Sequence, residues 1–91
     1  MLMIQRELTI INRLGMHARA AAKFVSLASQ FDSEIELEKG NRRVNGKSIM
    51  GVMMLAASRG STVRLLIDGE DEESAMDALA GLIEARFGES E

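Results

Sequence analysis

The chain has 91 residues, and its 11 Lys and Arg side chains against 14 Asp and Glu side chains give a net charge of −3. A chain this short accommodates one domain, which we predict to span residues 1–91, and an acidic balance without a basic stripe argues against nucleic-acid binding. Without cysteine it forms no disulfides and does no thiol chemistry, and its single histidine argues against a zinc site, so no metal or cofactor is expected.

The first part of the chain predicts a strand, a turn and a helix. Apolar and polar side chains alternate over residues 4–11, as in a strand with one buried face. Residues 12–16 form a turn in which Gly15 provides backbone freedom, and a helix follows over about residues 18–29. The apolar side chains that recur at helical spacing and face the core are Ala21, Phe24, Val25 and Ala28.

The next segment predicts a hairpin with one solvated face. Residues 33–38 alternate apolar and acidic side chains, which is typical of a strand with one side in water. Residues 39–41 form a turn, and residues 42–45 are short and basic enough to be an edge strand that closes the hairpin. The side chains expected on the solvated face are Glu34, Glu36 and Glu38.

Residues 47–57 predict a second helix with apolar side chains nearly all round it. One helix face cannot bury them all, and we assign Val52 and Leu55 to the core. The remaining apolar residues follow Ser48 around the exposed side of the same turn, where methionine suits an adaptable contact. The partner-binding surface predicted in this way consists of Ile49, Met50 and Met53.

A fourth strand and a third helix complete the pattern. Residues 62–67 alternate, with their apolar side chains predicted to point inward. The last helix opens with four acids at residues 70–73, runs to Phe87 and stops at Gly88. We interpret the acids as capping the positive end of the helix, not as a metal site. The predicted buried stripe is Ala75, Ala78, Leu79, Leu82 and Ile83.

The only histidine, His17, lies where the first turn becomes a helix. The N–H groups at a helix start are unpaired and carry partial positive charge, so they stabilise an anion beside the imidazole. Arg19 adds a cation with a planar set of donors. A nucleophile, an anion-binding helix end and an arginine this close together favour a phosphoryl-accepting site. The alternative is that His17 only caps the helix and that Arg19 is a solvated surface charge.

Two short segments carry a family resemblance. Residues 15–20 read G-M-H-A-R-A, and residues 45–55 read N-G-K-S-I-M-G-V-M-M-L. The first resembles the active-site segment, and the second the segment around the regulatory serine, of the HPr family of histidine phosphocarriers of the bacterial phosphotransferase system. Many members have proline where this chain has Ala20, but alanine also continues a helix. The resemblance covers roughly residues 5–87.

The element order β-α-β-β-α-β-α predicts an α+β fold. On packing grounds alone, helices would cover one face of an antiparallel four-stranded sheet, and the pattern leaves the strand order open. The resemblance implies an HPr-like open-faced β-sandwich with strand order 1-4-2-3 and three helices on one face. A ferredoxin-like arrangement is the alternative.

The resemblance implies a phosphocarrier, which is not an enzyme in its own right. His17 would accept a phosphoryl group from phosphorylated enzyme I and donate it to IIA domains, in sugar uptake or in the nitrogen-linked regulatory branch. The Ala18 backbone N–H and Arg19 would stabilise the transferred charge. Ser48 would be a regulatory phosphorylation site for an HPr kinase/phosphorylase, or otherwise only a helix cap. The alternative function is a regulatory or interaction module that binds partners through residues 49–53.

The ends and surface of the chain bear on its location and partners. The N-terminus carries too few apolar residues for a signal peptide or a membrane span. We therefore expect a cytoplasmic protein with no membrane and no nucleic-acid partner. We also expect a monomer whose partners are the proteins of the phosphotransferase system.

Overall fold

The computed structural model describes residues 3–91. Residues 1 and 2 of the apolar N-terminus lie outside the described residues. Its elements follow the predicted order, and a single 3₁₀ turn comes after the last helix. Within this part of the chain, every helix falls short of the length and hydrophobicity that a bilayer-spanning segment requires. The elements are β1 (Ile4–Thr9), α1 (Ala18–Ala28), β2 (Glu34–Lys39), β3 (Arg42–Asn45), α2 (Ile49–Met54), β4 (Thr62–Asp68), α3 (Glu72–Glu84) and the 3₁₀ turn (Arg86–Gly88).

The four strands form one antiparallel sheet in the order β1-β4-β2-β3. β4 lies between β1 and β2, so that Ile67 is opposite Ile4 on one side and opposite Ile35 on the other. β3 pairs with β2 alone and is the predicted edge strand. The strand order is the one that the family resemblance implies, and the ferredoxin-like alternative is wrong.

The core lies between the helices and one face of the sheet. α1 buries the four side chains predicted for it, together with Ala20. In α3, Ala78 and Leu82 are only half-buried, whereas Met76 and Ala80 are buried, so the predicted stripe is wrong at these positions. The buried stripe differs because α3 packs against β1, β4 and α1 at once, which a single helical spacing does not anticipate.

The opposite face of the sheet is charged, as the alternating glutamates of β2 predict. Glu38 accepts hydrogen bonds from Arg43 at 3.0 Å and from Arg64 at 3.1 Å, which joins three strands through side chains. Leu66 shares this face and is nevertheless buried, because it lies between Gln5 and Glu36 of the neighbouring strands. The exposed pairs contribute little stability each.

α2 is shorter than the helix predicted over residues 47–57. It begins where the Ser48 hydroxyl accepts a hydrogen bond from the Gly51 N–H at 3.0 Å. It cannot continue through Ala56, whose φ of 50° is left-handed. Two cationic side chains donate to the carbonyl groups at its C-terminal end, which satisfies them without a longer helix; they are Lys39 and Arg42.

α3 also ends earlier than predicted, at Glu84 and not at Phe87. Arg86 and Phe87 adopt left-handed φ values of 58° and 55°, which cost about 1–3 kcal/mol each. The reversal buries the Phe87 ring completely, and burying such a ring stabilises the fold by about 1.5–3 kcal/mol. It also directs residues 88–91 back toward the start of α1.

The acids at the start of α3 have more specific roles than the general capping predicted. Glu72 lies in the first turn, where a negative charge suits the helix dipole. Asp71 is the N-cap residue, but its carboxylate accepts hydrogen bonds from the Asp32 N–H, the Ser33 N–H and the Ser33 hydroxyl. The Ser33 hydroxyl chiefly, and then the Asp32 N–H, hold the pKa of Asp71 below its usual range. Asp71 therefore ties the loop after α1 to the start of α3.

Candidate functional site

The turn between β1 and α1 is held by one buried side chain and one glycine. Asn12 is fully buried, and its Nδ2 donates to the Gly15 carbonyl at 2.8 Å. Gly15 has a φ of 68°, and a Cβ there would lie 2.7 Å from the Ala57 carbonyl oxygen, so the turn requires glycine. Met16 donates its N–H to that same carbonyl at 2.8 Å. The turn thus packs against the segment after α2 and fixes where α1 begins.

His17 is the N-cap residue of α1, at the helix start where the sequence predicts it. Its backbone is extended, and the Ala21 N–H donates to its carbonyl at 2.8 Å. The imidazole itself makes no capping hydrogen bond, so the side chain of His17 is not used to cap the helix. The N–H groups of Ala18, Arg19 and Ala20 precede the first helical hydrogen bond and have no intrahelical partner.

A carboxylate from the C-terminal end of the chain contacts the imidazole. His17 Nε2 and Glu89 Oε2 are 2.6 Å apart, and the two side chains are 28% and 19% exposed. Glu89 Oε1 accepts a second hydrogen bond from Asn12 Nδ2 at 3.0 Å. The Asn12 amide chiefly, and then His17, hold the pKa of Glu89 below its usual range. An ionised carboxylate only accepts, so Nε2 carries a proton, and in the neutral ring Nδ1 keeps the lone pair.

The segment that carries Glu89 is attached to the rest of the fold on both sides of that residue. Before it, Lys23 Nζ donates to the Phe87 carbonyl at 2.7 Å. After it, the Arg13 N–H donates to the Glu91 carbonyl at 2.9 Å, and the two side chains form an exposed ion pair. Sequence reasoning missed this arrangement, because no local pattern links the C-terminal residues to the turn before α1.

His17 and Arg19 line the same open cleft, whose volume is about 650 Å³. Leu14 and Ala18 also line it, and Glu89 closes one side. Arg19 is exposed, and within residues 3–91 its guanidinium takes part in no hydrogen bond or ion pair. The predicted site residues His17, Ala18 and Arg19 therefore line one cleft. An anion bound there would contact the imidazole, the free backbone N–H groups and the guanidinium.

The apolar surface predicted beside Ser48 is exposed. Ile49, Met50 and Met53 are all accessible, with 71% of Met50 in solvent, and Met54 is exposed as well. We call these four residues the α2 patch. The sequence pattern leaves Met54 unassigned. α2 packs against α1, so the patch lies on the helix next to the one that begins after His17.

Comparison with known proteins places the chain in a family. The model of the PTS HPr component phosphorylation site matches residues 4–85. The chain is 60% identical over 89 residues to the phosphocarrier protein HPr of Cupriavidus necator, covering 98% of this chain and 100% of that protein. It is 42% identical over 87 residues to the phosphocarrier protein NPr of Shewanella violacea, covering 96% of each. The crystal structure of HPr-C-His from Thermoanaerobacter tengcongensis aligns with a TM-score of 0.93 and 50% identity, covering 97% of this chain and 99% of that one. The chain therefore belongs to the HPr family of phosphocarriers of the phosphotransferase system.

Proposed function

We propose that this member of the family carries phosphoryl groups on His17. It would accept them from phosphorylated enzyme I, itself charged by phosphoenolpyruvate, and donate them to a IIA domain. Family membership supports the role of phosphocarrier, and the position of His17 at the end of α1 supports this residue as the acceptor. The protein completes no reaction alone, because the donor and the final acceptor are other proteins.

The transfer step follows from the two ring nitrogens. The lone pair of Nδ1, the nitrogen that Glu89 leaves free, attacks phosphorus in line. The bond from phosphorus to the donor atom of enzyme I breaks, and its electron pair returns to that atom. The Ala18 N–H and the Arg19 guanidinium share the charge of the phosphoryl oxygens during the transfer. An imidazole is a good leaving group from phosphorus, so the same residue passes the phosphoryl group on.

One observation carries the proposal: the only histidine of the chain lies at the free N–H groups of an eleven-residue helix. Incubation with enzyme I and phosphoenolpyruvate tests it directly, with mass spectrometry at neutral pH. We expect one acid-labile phosphate per chain, on His17. A chain that stays unmodified beside a phosphorylated enzyme I would reject the proposal.

The second candidate function is a regulatory or interaction module, and the exposed α2 patch favours it. In that case partners bind through the patch without any transfer to His17. The incubation with enzyme I separates the two functions, because only a carrier becomes phosphorylated. The relatives include both HPr and NPr proteins. The carrier would therefore serve either sugar uptake or nitrogen-linked regulation.

The α2 patch is expected to form part of the surface that docks enzyme I and IIA domains. Replacing Met50 or Met53 by Glu places a charge in an apolar contact, and we expect the Kd for enzyme I to rise about 10-fold or more. Met3→Glu is the matched control, since Met3 is exposed and lies outside the patch. Titration by calorimetry measures the effect. Equal affinities for the three variants would remove the patch from the docking surface.

Ser48 is proposed as a regulatory phosphorylation site in hosts that have an HPr kinase/phosphorylase. A negative charge there would sit beside Ile49 and Met50 and oppose docking, while an acid still caps a helix well. We therefore expect Ser48→Asp to slow phosphorylation of His17 about 10-fold without lowering the thermal midpoint. Ser48→Ala removes the acceptor of the hydrogen bond from the Gly51 N–H, so we expect the free energy of unfolding to fall by about 1 kcal/mol. Its transfer rate should stay that of the wild type. Stopped-flow transfer assays and thermal melts read the two effects. An unchanged rate in Ser48→Asp would leave Ser48 as a cap only.

Location and assembly belong to the same proposal. A carrier that exchanges phosphoryl groups with enzyme I and IIA domains is expected to work in the cytoplasm. The monomer expected from the sequence stays a prediction, which sedimentation at several concentrations would test. A monomer suits the proposed role, because one exposed surface then serves donor and acceptor in turn.

A further inference from the structure

The contact of Glu89 with the imidazole leaves Nδ1 free, but the phosphocarrier function gives the carboxylate itself no task. We propose that Glu89 is a positioning residue for phosphoryl transfer, which orients the His17 ring through Nε2 and stabilises the positive charge that the ring acquires when Nδ1 bonds to phosphorus. This role rests on the proposed function of His17 and adds a residue to it. It assigns a task to the C-terminal residues beyond the span of the family model, which ends at residue 85.

The geometry is that of a fixed support. The 2.6 Å separation of His17 Nε2 and Glu89 Oε2 is short, as expected for a charge-assisted hydrogen bond. The other carboxylate oxygen is held by Asn12, which is fully buried and is itself held by the Gly15 carbonyl. The carboxylate therefore has its direction set before any phosphoryl donor arrives. A ring with one nitrogen held this way presents the other nitrogen in one orientation, so less rotational freedom is lost on transfer.

The charges of the transfer step explain why a carboxylate suits this position. The neutral ring starts with a proton on Nε2 and a lone pair on Nδ1. Forming the bond from Nδ1 to phosphorus gives a cationic phosphoimidazole ring that keeps the Nε2 proton, while the donor recovers the electron pair of the broken bond. Glu89 stabilises that cation in the way that the aspartate of a Ser-His-Asp triad stabilises its imidazolium. Transfer to the next protein reverses the same charges.

The carboxylate is tolerated near an anion-binding site because its own charge is compensated. Two hydrogen bonds take up its two oxygens, and Lys23, which also donates to the Phe87 carbonyl, contributes a nearby positive charge. Glu89 also binds the ring nitrogen that does not accept phosphorus. Its charge therefore acts mainly on the imidazole and less on the phosphoryl oxygens.

The test compares Glu89→Ala and Glu89→Gln with Glu84→Gln. Glu84 is the matched control, because it is an exposed glutamate that pairs with Arg6 and lies outside the cleft. With phosphorylated enzyme I as donor, we expect kcat to fall about 10- to 100-fold in Glu89→Ala and KM to change about 2-fold at most. The kcat of Glu89→Gln should lie between those of Glu89→Ala and the wild type, because the amide oxygen still accepts a hydrogen bond from Nε2 but carries no charge. Glu84→Gln should transfer like the wild type.

A spectroscopic readout separates positioning from a merely structural role. In the wild type, in Glu89→Gln and in Glu84→Gln, we expect the Nε2 proton of His17 to be protected from exchange and visible by ¹⁵N-edited NMR. In Glu89→Ala that proton should be lost to exchange. Equal kcat values for Glu89→Ala and Glu84→Gln would overturn the positioning role and leave the phosphocarrier function intact. Faster transfer in Glu89→Ala would also overturn it, because Glu89 would then be an obstruction. A wild-type chain that accepts no phosphate would overturn both proposals together.

Discussion

Replacing His17 by alanine is expected to abolish phosphorylation by enzyme I and to leave the fold intact. The chain has no second histidine to take over, so the loss should be complete. The imidazole is partly exposed and does not cap α1, so the variant loses mainly the hydrogen bond to Glu89 and should remain folded. Intact-mass measurement after incubation with phosphoenolpyruvate and enzyme I reads the first effect, and a thermal melt reads the second.

The control for this variant is Ser74→Ala, an exposed position on α3 outside the cleft. It should be phosphorylated like the wild type. A His17→Ala chain that still received an acid-labile phosphate would contradict the assignment of His17. A large fall in the thermal midpoint would instead mean that the ring supports the fold and that the loss of transfer is indirect.

Replacing Arg19 by alanine is expected to slow transfer about 100-fold or more without lowering stability. The guanidinium is exposed in the cleft and has no partner within the described chain, so no folded-state contact is lost. Its role is to stabilise the charge on the transferred group, where removal of one preorganised donor typically costs this much. Arg19→Lys should recover part of the rate, because it restores the charge but not the planar set of donors.

Single-turnover transfer from phosphorylated enzyme I measures the rate for each variant. Arg43→Ala is the matched control, since it removes an exposed arginine on the charged face of the sheet. Its transfer rate should equal that of the wild type. Arg19→Ala rates within about 2-fold of that control would mean that Arg19 is only a solvated surface charge.

Much of the fold and the centre of the site follow from local pattern. Alternating side chains predict the strands, and the solvated glutamates of β2 indicate which face of the sheet is open. The glycine and the alanine-rich run around His17 predict a turn followed by a helix, and the structure has Gly15 in the left-handed region at that turn. Ser48 is a local signal of the same kind, and it does cap α2. These features depend on residues close together in the sequence.

The features that could not be predicted depend on distant contacts or on unusual backbone. Left-handed φ values occur at Ala56, Arg86 and Phe87. These residue types rarely adopt such values, so the sequence does not predict them. They shorten α2 and α3 and return the chain toward α1. Glu89 and His17 are 72 positions apart, and their contact exists only because α3 ends early. The sequence therefore predicts His17 as the acceptor but gives no sign of the carboxylate that contacts its ring.

The central claim is that His17 accepts a phosphoryl group through the ring nitrogen that Glu89 leaves free. The most direct measurement is ³¹P and ¹⁵N NMR of the ¹⁵N-labelled chain after phosphorylation by enzyme I and phosphoenolpyruvate, at neutral pH. We predict phosphorus coupled to Nδ1 of His17, with the proton retained on Nε2. Coupling to Nε2, phosphate on any other residue, or no phosphate at all would contradict the claim.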